Sequence, residues 1–465
     1  MTSSSTKNIN PSDISDVIDE YAQAGVAETQ AAVRAARAAF DAWSFSTPLQ
    51  RHDILKIAGD EILARKTELG ALLSREEGKI LSEGIAEITR AGQIFHFFAG
   101  EALRLMGEVV PSVRPGIGIE ITREPVGVIG VIAPWNFPAA IPAWKIAPAL
   151  CFGNTIVFKP AELVPATAWE ITDILHRAGL PDGVLNLLMG LGSVVGQTML
   201  DDPGIDAITF TGSQATGARV AQACVTHMRK MQLEMGGKNP LVVLDDADLD
   251  VAVDAALNGT FFSTGQRCTA SSRLIVTEGI HGRFVDALSE RMRDLKVGHA
   301  LNADTQIGPV VDATQLEQDL EYIEVACRQG GSLRGGGARV SRETDGFFLE
   351  PALITETVPD MRINKEEVFG PVASVIRVRD YDEALHVAND CDFGLTAGIC
   401  TTSLKYASDF KRKAEAGMVM VNLPTAGVDY HVPFGGRKAS SYGPREQGSH
   451  AREFFTTIKT AYTAP

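Results

Sequence analysis

The chain has 465 residues, 45% of them hydrophobic, which is too long for a single hydrophobic core and predicts two or more domains. Its 43 Lys and Arg residues against 58 Asp and Glu residues give a net charge of −15, which argues against nucleic acid and anionic membranes as partners. The 6 cysteines are widely spaced and form no C-x-x-C pair, so we expect neither a zinc ribbon nor a disulfide scaffold and predict no metal site.

Neither a targeting segment nor a membrane span is predicted. The amino-terminal segment contains no apolar stretch of the kind that a signal peptide needs. The most apolar run, 126–144, is interrupted by prolines and by Asn136, so it does not resemble a membrane-spanning helix. We therefore expect a soluble cytoplasmic protein whose thiols are reduced.

The first part of the chain is predicted to be helical, and the next part alternates strand and helix. Apolar residues recur at helical spacing over 27–43, and further helices are expected to about residue 104. Helices are also predicted at 165–178 and 213–223. Short β-branched runs predict strands at 127–133, 155–159, 184–188, 206–210 and 230–235. This alternation predicts right-handed crossovers and a parallel sheet covered on both faces.

A second alternating series begins near Asn239. Its predicted strands lie at 240–244, 272–276, 372–378 and 397–401. Its predicted helices lie at 281–295 and 382–389. The predicted fold class is therefore α/β, with two doubly wound parallel-sheet domains that join near Gly236 and Gly237. The closing segment, 452–463, has the pattern of a strand without a partner nearby in sequence, and such a strand often pairs with another chain.

One cysteine lies in an unusual context. Cys268 follows Gly265, Gln266 and Arg267 and has hydroxyl residues close by on both sides. A nearby cation or helix N-terminus lowers the pKa of a thiol and so favours the nucleophilic thiolate. The ordinary alternative is a buried structural thiol, and for Cys268 alone both roles stay open. A buried structural thiol is what we expect for Cys151, Cys224, Cys327 and Cys400.

Two polar residues lie at predicted strand ends, where parallel sheets bind ligands, and a lysine follows one of them. Glu234 ends an apolar strand before a Gly–Gly pair and is either a solvated strand end or a base that faces a cleft, where apolar surroundings would raise the pKa of its carboxyl into the range for proton transfer. Asn136 could donate its amide N–H to a developing oxyanion or simply form a turn. Lys145 is either a surface lysine or a cation that acts in the same region.

Two segments could contact a nucleotide. Over 209–217 a strand passes through a glycine turn into a helix that Ser213 would cap, and the N-terminal N–H groups of such a helix can hold a phosphate. An ordinary helix cap is the alternative. At another strand end, Glu162 is placed to accept a hydrogen bond from a ribose hydroxyl, and Lys159 to contact the same ribose or an added phosphate.

Seven short motifs follow one another along nearly the whole chain. They are PWNFP (134–138), FKPAE (158–162), FTGS (210–213), EMGGKNP (234–240), TGQRCTA (264–270), EEVFGPV (366–372) and PFGGRK (433–438). In type and in order they resemble the motifs of the aldehyde dehydrogenase superfamily. Agreement at seven ordered motifs is specific, so the resemblance strengthens each of the weaker assignments above.

The resemblance implies an architecture of three parts. A Rossmann-like cofactor domain would occupy 1–106 and 126–236, and a catalytic domain would occupy 237–440. A β-flap for oligomerisation would be formed by 107–125 and 441–465. The strand-like closing segment fits this flap, and a homodimer or homotetramer is expected.

The resemblance also implies the chemistry. Cys268 would be the nucleophile that adds to an aldehyde, and Asn136, with the Cys268 backbone N–H, would hold the resulting oxyanion. Glu234 would activate water to hydrolyse the thioester that follows. Lys145 would support proton movement or cofactor placement.

The cofactor implied by the resemblance is NAD or NADP. Glu367 matches the ligand of the nicotinamide ribose, with Phe369 packing beside it, and Lys159 and Glu162 match the ligands of the adenosine ribose. A carboxylate at Glu162 favours NAD because it repels a 2′-phosphate, although Lys159 could offset this repulsion. The cleft near the pyrophosphate would be lined by Trp135, Gly212 and Ser213.

The substrate implied by the resemblance is a short semialdehyde. The segment 425–448 looks most like that of the bacterial α-ketoglutaric semialdehyde (2,5-dioxopentanoate) dehydrogenases. Succinate semialdehyde and 3-succinoylsemialdehyde-pyridine stay open as alternatives, since all three substrates end in –CH2–CH2–CHO. Candidate walls of the substrate pocket are Ile141, Trp144, Phe262, Arg267 and Val428.

Two rival functions are weighed against this one. A CoA-acylating dehydrogenase releases the acyl group to CoA, but such relatives commonly lack the carboxylate found here at Glu234. A non-catalytic structural or binding homologue would need none of Cys268, Glu234 and Asn136. We therefore predict a small aldehyde as the partner, and no nucleic acid or membrane.

Overall fold

The computed structural model describes residues 5–465 and contains two large β-sheets, each covered by helices. The helices are α1 (Val26–Ser44), α2 (Pro48–Ala64), α3 (Lys66–Glu77), α4 (Leu81–Ala102), α5 (Ala140–Cys151), α6 (Pro165–Arg177), α7 (Gln197–Asp201), α8 (Gln214–Thr226), α9 (Leu249–Phe261), α10 (Glu278–Arg293), α11 (Ala313–Arg328), α12 (Arg362–Lys365), α13 (Tyr381–Asn389), α14 (Leu404–Lys413) and α15 (Arg452–Phe455).

The strands range from two to ten residues in length. They are β1 (Ser5–Asn10), β2 (Asp13–Ala22), β3 (Glu108–Pro111), β4 (Gly118–Pro125), β5 (Val128–Ile132), β6 (Thr155–Lys159), β7 (Leu185–Leu187), β8 (Ala207–Thr211), β9 (Lys230–Glu234), β10 (Asn239–Val243), β11 (Ser271–Thr277), β12 (Ser332–Gly335), β13 (Ala352–Thr357), β14 (Val372–Val378), β15 (Phe393–Gly394), β16 (Thr396–Cys400), β17 (Met418–Val421), β18 (Arg437–Lys438), β19 (Ser441–Tyr442) and β20 (Thr456–Thr463).

The six-stranded sheet has the strand order β19-β9-β8-β5-β6-β7. Its strands run parallel, except that β19 pairs antiparallel with β9. Alternate residues of β5 face opposite sides, because side chains in a strand alternate between the two faces. Ile129 and Val131 pack with helices α2 to α6, whereas Val128 packs with α1, α7 and α8. The sheet is therefore covered on both faces, as predicted.

The seven-stranded sheet has the order β12-β13-β14-β11-β10-β16-β17 and is parallel except for β12. Leu241 and Val243 of β10 pack against α9 and α10, and Val242 between them packs against α13 and α14. The central strands of both sheets are apolar runs that are buried on both faces, which is typical of parallel strands. The predicted α/β class with two doubly wound sheets is confirmed.

A third sheet, antiparallel and three-stranded, has the order β20-β4-β3. The closing segment was predicted as a strand throughout, but it begins with α15, whose Phe454 and Phe455 are fully buried. Strand β20 then pairs with all eight residues of β4 in the same chain, so its partner is distant in sequence rather than in another molecule. The opposite edge of β20 carries no strand within residues 5–465.

The division of the chain into cofactor domain, catalytic domain and flap stays a prediction. One strand does not follow this predicted division. β19 falls in the segment assigned to the flap, but it pairs with β9 and completes the six-stranded sheet. No helix within residues 5–465 has the length and apolar character needed to cross a membrane.

Candidate active site

The candidate residues of the six-stranded sheet lie at the carboxyl ends of its strands. Lys159 ends β6, Glu234 ends β9, Asn136 lies in the turn after β5, and Gly212 and Ser213 follow β8. Because parallel strands end at one edge of a sheet, five of the residues predicted from sequence are brought to that edge.

The loop that carries Cys268 has a strained backbone. After α9 ends, Ser263, Thr264 and Gly265 have φ values of 52°, 53° and 65°, a left-handed conformation that is unfavourable for the first two. A Cβ at position 265 would overlap the carbonyl oxygen of Gly370, so only glycine fits there. The backbone N–H of Ser263 donates to Glu83 at 2.8 Å, which helps to hold the loop in place.

The carbonyl of Cys268 is anchored on the opposite side of the loop. The amide of Asn239 donates to the Cys268 oxygen at 2.8 Å and to the Ala270 oxygen at 2.9 Å. Gly237 approaches the same carbonyl so closely that a Cβ there would lie 2.6 Å from it. The EMGGKNP motif therefore supplies both the carboxylate at Glu234 and the support for the cysteine loop.

Asn136 is buried, and its side chain points at the cysteine loop. Its Nδ2 donates to the carbonyl of Gln266, two residues before Cys268, at 3.0 Å. Its own backbone oxygen accepts a hydrogen bond from Lys79 Nζ at 2.7 Å. Lys79 also forms an ion pair with Glu87 at 2.6 Å. Glu87 in turn accepts hydrogen bonds from two backbone N–H groups at the start of α5. This buried ion pair fixes the turn that presents Asn136.

Glu234 is also buried, and it accepts a hydrogen bond from the hydroxyl of Ser441 at 2.5 Å. Burial, reinforced by the charge of Glu446, raises the pKa of the Glu234 carboxyl well above its usual range. The hydrogen bond from Ser441 and the charge of Lys145 oppose this shift. A carboxyl with a raised pKa is suited to proton transfer near neutral pH, as expected from the sequence.

Lys145 is a fully buried lysine, so the surface alternative is wrong. Its Nζ donates to Thr209 at 2.9 Å and forms an ion pair with Glu446. The hydroxyl of Thr209 continues the network to Gln232 at 2.9 Å. Lys145 is thus held by α5 against the six-stranded sheet, and its charge lowers the pKa of Glu234 while the charge of Glu446 raises it.

A cavity of ≈ 240 Å³ lies next to Cys268. Of the five predicted pocket walls, Ile141, Trp144, Arg267 and Val428 line it. Phe262 is absent from its lining and packs instead against the core between β10 and α9. The indole of Trp144 stacks on Phe434, with ring centroids 5.3 Å apart, and gives the cavity an aromatic wall.

Arg267 does not activate the thiol in the way that its position in sequence suggests. Its Nη2 donates to the backbone carbonyls of Asn258 and, at 3.3 Å, Gly259, near the end of α9. Burial, together with the charges of Glu367 and Glu234, raises the pKa of the Cys268 thiol. The expected lowering of this pKa is therefore wrong for the free protein, because burial of the sulfur, added to by the nearby carboxylates, outweighs any effect of the arginine.

The other cysteines differ in exposure. Cys151, Cys224, Cys391 and Cys400 are buried, and burial raises the pKa of Cys151, Cys224 and Cys400. Cys327 is exposed on α11, so the expectation of a buried thiol there is wrong. Among the cysteines, Cys268 alone lines the cavity.

The candidate nucleotide residues form two groups. Lys159 lies 3.1 Å from Glu162, whose Oε1 also accepts the N–H of Gly192 at 2.5 Å. Ser213 caps α8 by accepting the N–H of Thr216 at 3.3 Å, which confirms the predicted cap.

In the second group, the rings of Trp135 and Phe369 meet edge to face, 5.4 Å apart. The carboxylate of Glu367 lies against the Gly236–Gly237 turn and accepts the N–H of Gly237 at 2.7 Å. Burial raises the pKa of Glu367 to about 7.

The chain matches the family described as "Aldehyde dehydrogenase family" over residues 1–461. The chain belongs to the aldehyde dehydrogenase family. It is a nicotinamide-dependent dehydrogenase, and the resemblance seen in its motifs is confirmed.

Curated relatives match along nearly their full length. An α-ketoglutaric semialdehyde dehydrogenase of Bacillus subtilis is 43% identical over 98% of this chain and 94% of its own length. An α-ketoglutarate semialdehyde dehydrogenase of Haloferax volcanii is 44% identical over 99% and 96%. A 2,5-dioxopentanoate dehydrogenase of Saccharolobus solfataricus is 41% identical over 98% and 95%.

A solved structure shares the fold. The betaine aldehyde dehydrogenase of Staphylococcus aureus, in complex with NAD+, superposes with a TM-score of 0.96 and is 35% identical over 99% of this chain and 92% of its own. The aldehyde dehydrogenase fold of the present chain is therefore established by both sequence and structure.

The residues present here fit a dinucleotide. The hydroxyl of Thr211 is buried and has no hydrogen-bond partner within residues 5–465, and it lies directly before the Gly212–Ser213 turn. The N-terminus of α8 follows, with N–H groups of the kind that bind a phosphate. Glu162 and Lys159 form the polar pair expected at a ribose, and Trp135 and Phe369 provide apolar surface.

Several residues of the site carry no motif that sequence reasoning could use. Lys79, Glu87 and Arg90 come from the helical region before the first sheet, and Glu446 and Gln447 come from the segment after the last motif. The short sequence EGK at 77–79 and the run GPREQG at 443–448 are weak signals by themselves. Only the tertiary fold brings them to Cys268.

Proposed function

We propose that this aldehyde dehydrogenase oxidises α-ketoglutaric semialdehyde to the corresponding dicarboxylate and releases the product to water. The observation that carries the proposal is that Cys268 lines a small cavity, with Asn136 hydrogen-bonded to its loop and the raised-pKa carboxyl of Glu234 close enough to influence the thiol. A nucleophile, an amide donor and a proton acceptor are the groups that such a reaction requires.

In the first step, the sulfur of Cys268 bonds to the aldehyde carbon, and the thiol proton leaves to a base. The carbonyl oxygen becomes the oxyanion of a thiohemiacetal. The side-chain amide of Asn136 and the backbone N–H of Cys268 donate to that oxygen. Removing one such donor typically lowers kcat by about 10²–10³.

In the second step, the thiohemiacetal is oxidised to a thioester. The nicotinamide, when bound, supplies the two-electron acceptor for the hydrogen of the aldehyde carbon. Within the protein, Trp135, Phe369 and Glu367 would hold the nicotinamide end, and Lys159, Glu162, Gly212 and Ser213 the other end.

In the third step, water cleaves the thioester. Glu234 takes a proton from the water, the carboxylate product leaves, and the Cys268 thiol is restored. The carboxyl of Glu234 has the raised pKa that this role needs, and Lys145 with Glu446 tunes it through charge. A CoA-acylating enzyme would have no use for this base.

The substrate assignment rests on three relatives and on the size of the cavity. All three relatives carry names that specify the same five-carbon dioxo acid. The cavity of ≈ 240 Å³ is smaller than the roughly 300–1,000 Å³ of sites for drug-sized ligands. A short aliphatic semialdehyde suits this volume better than a chain that ends in a pyridine ring.

We propose NAD as the preferred cofactor, because the Glu162 carboxylate would lie where NADP carries its extra phosphate. Lys159 lies within 3.1 Å of this carboxylate and weakens the discrimination, so the preference is several-fold rather than absolute. We further propose the cytoplasm as the location and the three-stranded sheet as the contact in a homodimer or homotetramer.

The test is a kcat/KM panel of α-ketoglutaric semialdehyde, succinate semialdehyde and a pyridyl 4-oxobutanal, each with NAD and NADP. We expect the five-carbon dioxo acid with NAD to give the highest value. Glu234→Gln should release one equivalent of NADH per site in a burst and then turn over about 10²–10⁴-fold more slowly, since the thioester forms but water is not activated.

Cys268→Ser provides the control for the covalent step and should show no burst. A variant that keeps full turnover without the sulfur contradicts the thiol mechanism. Faster turnover of the Glu234→Gln variant on adding CoA, without a matching effect in the unmodified enzyme, also identifies hydrolysis as the step that Glu234 serves.

A further inference from the structure

Three cationic side chains line the cavity beside Cys268, and two of them already donate hydrogen bonds to neighbouring groups. Lys79 Nζ donates to Glu87 and to the carbonyl of Asn136. Arg267 Nη2 donates to the carbonyls of Asn258 and Gly259. Neither has a charge that is free to bind a substrate anion.

Arg90 is the exception. It lies on α4, lines the cavity, and forms no hydrogen bond or ion pair with any of residues 5–465. Burial lowers the pKa of Arg90, while the charges of Glu87 and Asp429 favour its protonated form. Glu87 already accepts from Lys79 and from the start of α5, so its carboxylate does not neutralise Arg90 at hydrogen-bond distance.

Gln447 is the second unusual residue of this lining. Its side chain is fully buried, and both its Oε1 and its Nε2 lack a hydrogen-bond partner within residues 5–465. Its φ of 61° is also rare for a residue with a side chain. A buried amide without partners costs free energy, so such a group is expected where a ligand supplies an acceptor for its Nε2.

The rest of the lining has more apolar than polar surface, although Glu83, Ser263 and Thr269 also contribute to it. Ile141, Trp144, Val428 and Phe434 give it the surface that an aliphatic chain prefers. One free guanidinium and one unpaired amide in such a cavity match a carboxylate with an adjacent carbonyl, since the guanidinium binds carboxylate and the amide donates to an oxygen.

We propose that Arg90 binds the distal carboxylate of the substrate and that Gln447 donates to its 2-oxo oxygen. This inference rests on the proposed function and deepens it, because it explains how the enzyme distinguishes a 2-oxo acid from other aldehydes. Arg90 and Gln447 are specificity-determining residues, whereas Arg267, the arginine adjacent to the nucleophile, has a structural role.

The test compares three aldehydes of five carbons: 2,5-dioxopentanoate, 5-oxopentanoate and pentanal. The first has both the carboxylate and the 2-oxo group, the second lacks the 2-oxo group, and the third lacks both. In the unmodified enzyme, kcat/KM should fall in that order. An enzyme that prefers pentanal contradicts the proposed function itself, before any variant is made.

For Arg90→Met, the ratio of kcat/KM for 5-oxopentanoate to that for pentanal should fall by about 10²-fold, because a charge-paired contact is lost. Arg90→Lys should restore part of this ratio, since it keeps the charge. Arg104→Met, at an exposed arginine just beyond the same helix, is the matched control and should leave all ratios unchanged. An unchanged ratio in Arg90→Met, with 2,5-dioxopentanoate still preferred, overturns the role of Arg90 alone.

For Gln447→Leu, the ratio of kcat/KM for 2,5-dioxopentanoate to that for 5-oxopentanoate should fall by about 10-fold, because one hydrogen bond is lost. The variant should also unfold at an equal or higher Tm, since an unpaired buried amide is replaced by an apolar group. A lower Tm with equal loss on all three aldehydes would assign Gln447 a purely structural role and overturn its part of the proposal.

Discussion

At the scale of single residues, the reactivity of Cys268 in the free protein is lowered first by burial and then by nearby carboxylates. Burial favours the protonated thiol, and the charges of Glu367 and Glu234 act in the same direction. Glu367 has a pKa raised to about 7, so its negative charge develops as the pH passes neutrality. The thiol therefore meets increasing negative charge at the pH where thiolate formation would otherwise begin.

The first prediction concerns this coupling. The rate of Cys268 alkylation by iodoacetamide should rise between pH 7 and 9, because only the thiolate reacts and the thiol pKa lies above that range, but by less than about tenfold per pH unit while Glu367 ionises. Glu367→Gln should accelerate alkylation at pH 8.5, where Glu367 is ionised, and have little effect at pH 6, where it is protonated in the folded protein.

The measurement follows the Cys268 peptide by mass spectrometry in a Cys327→Ser background, because Cys327 is exposed and would also react. Glu290→Gln, on the surface of α10, is the control and should alter neither rate. If Glu367→Gln and its parent are alkylated at equal rates at pH 8.5, the charge of Glu367 does not raise the pKa of the Cys268 thiol.

The motif residues could be predicted from sequence, and the residues that recognise the far end of the substrate could not. Cys268, Asn136 and Glu234 each lie in a short run of unusual composition, so their positions are visible in the chain. Arg90 lies in an amphipathic helix, where an arginine looks like an ordinary surface residue. Its lack of a partner depends on what Glu87 and Lys79 bind, which only tertiary contacts determine.

At the scale of elements, the loop before Cys268 depends on one glycine. Gly265 combines a positive φ with backbone contact to Gly370, so any side chain there displaces the loop of the EEVFGPV motif as well. The cysteine loop and the loop that carries Glu367 are thus in direct contact, and their positions are mutually dependent.

Gly265→Ala should therefore destabilise the fold by about 1–3 kcal/mol and reduce kcat strongly, because a strained backbone and a steric overlap are introduced together. Urea unfolding and steady-state kinetics measure the two effects. Gly282→Ala is the matched control: this exposed glycine lies within α10 with open space around it, and alanine there should stabilise by about 0.5–1 kcal/mol. Equal stability of the two variants would refute the steric argument.

Most strands of the two large sheets were predicted well, but the interior strand β13 and several short or exposed strands were missed. β5, β6, β8, β9, β10, β11, β14 and β16 lie within two residues of their predicted positions, because buried parallel strands are continuous apolar runs. The hairpin of β1 and β2 was missed because its residues are mostly polar and half-exposed, as in STKNIN and DISDVIDEYA. The two-residue strands β15, β18 and β19 exist only through partners distant in sequence.

At the scale of the whole molecule, the three-stranded sheet leaves one long edge open. The outer edge of β20 is eight residues long, and the backbone groups of alternate residues on that edge meet no strand within residues 5–465; exposed edges of this length are unusual unless another strand covers them. Ile458 and Tyr462, on one face of β20, are also exposed, at 62% and 61%. Both features favour contact with a second copy of the chain.

Replacing Ile458 with Asp should therefore shift the mass in solution toward the monomer, since a charge would be placed in the proposed contact. Light scattering coupled to size-exclusion chromatography measures this mass. Leu404→Asp alters a comparably exposed apolar residue on α14 and should have no effect. If the Ile458 variant keeps the same mass in solution, the three-stranded sheet is not part of the assembly interface.

The carboxylates around Cys268 have a consequence for the lifetime of the protein. Peroxides attack thiolates and react poorly with protonated thiols, so a cysteine kept protonated resists oxidation to sulfenic acid. The free enzyme should accordingly tolerate hydrogen peroxide at neutral pH. Burial, together with negative charge near the sulfur, thus protects the nucleophile from oxidation before an aldehyde binds.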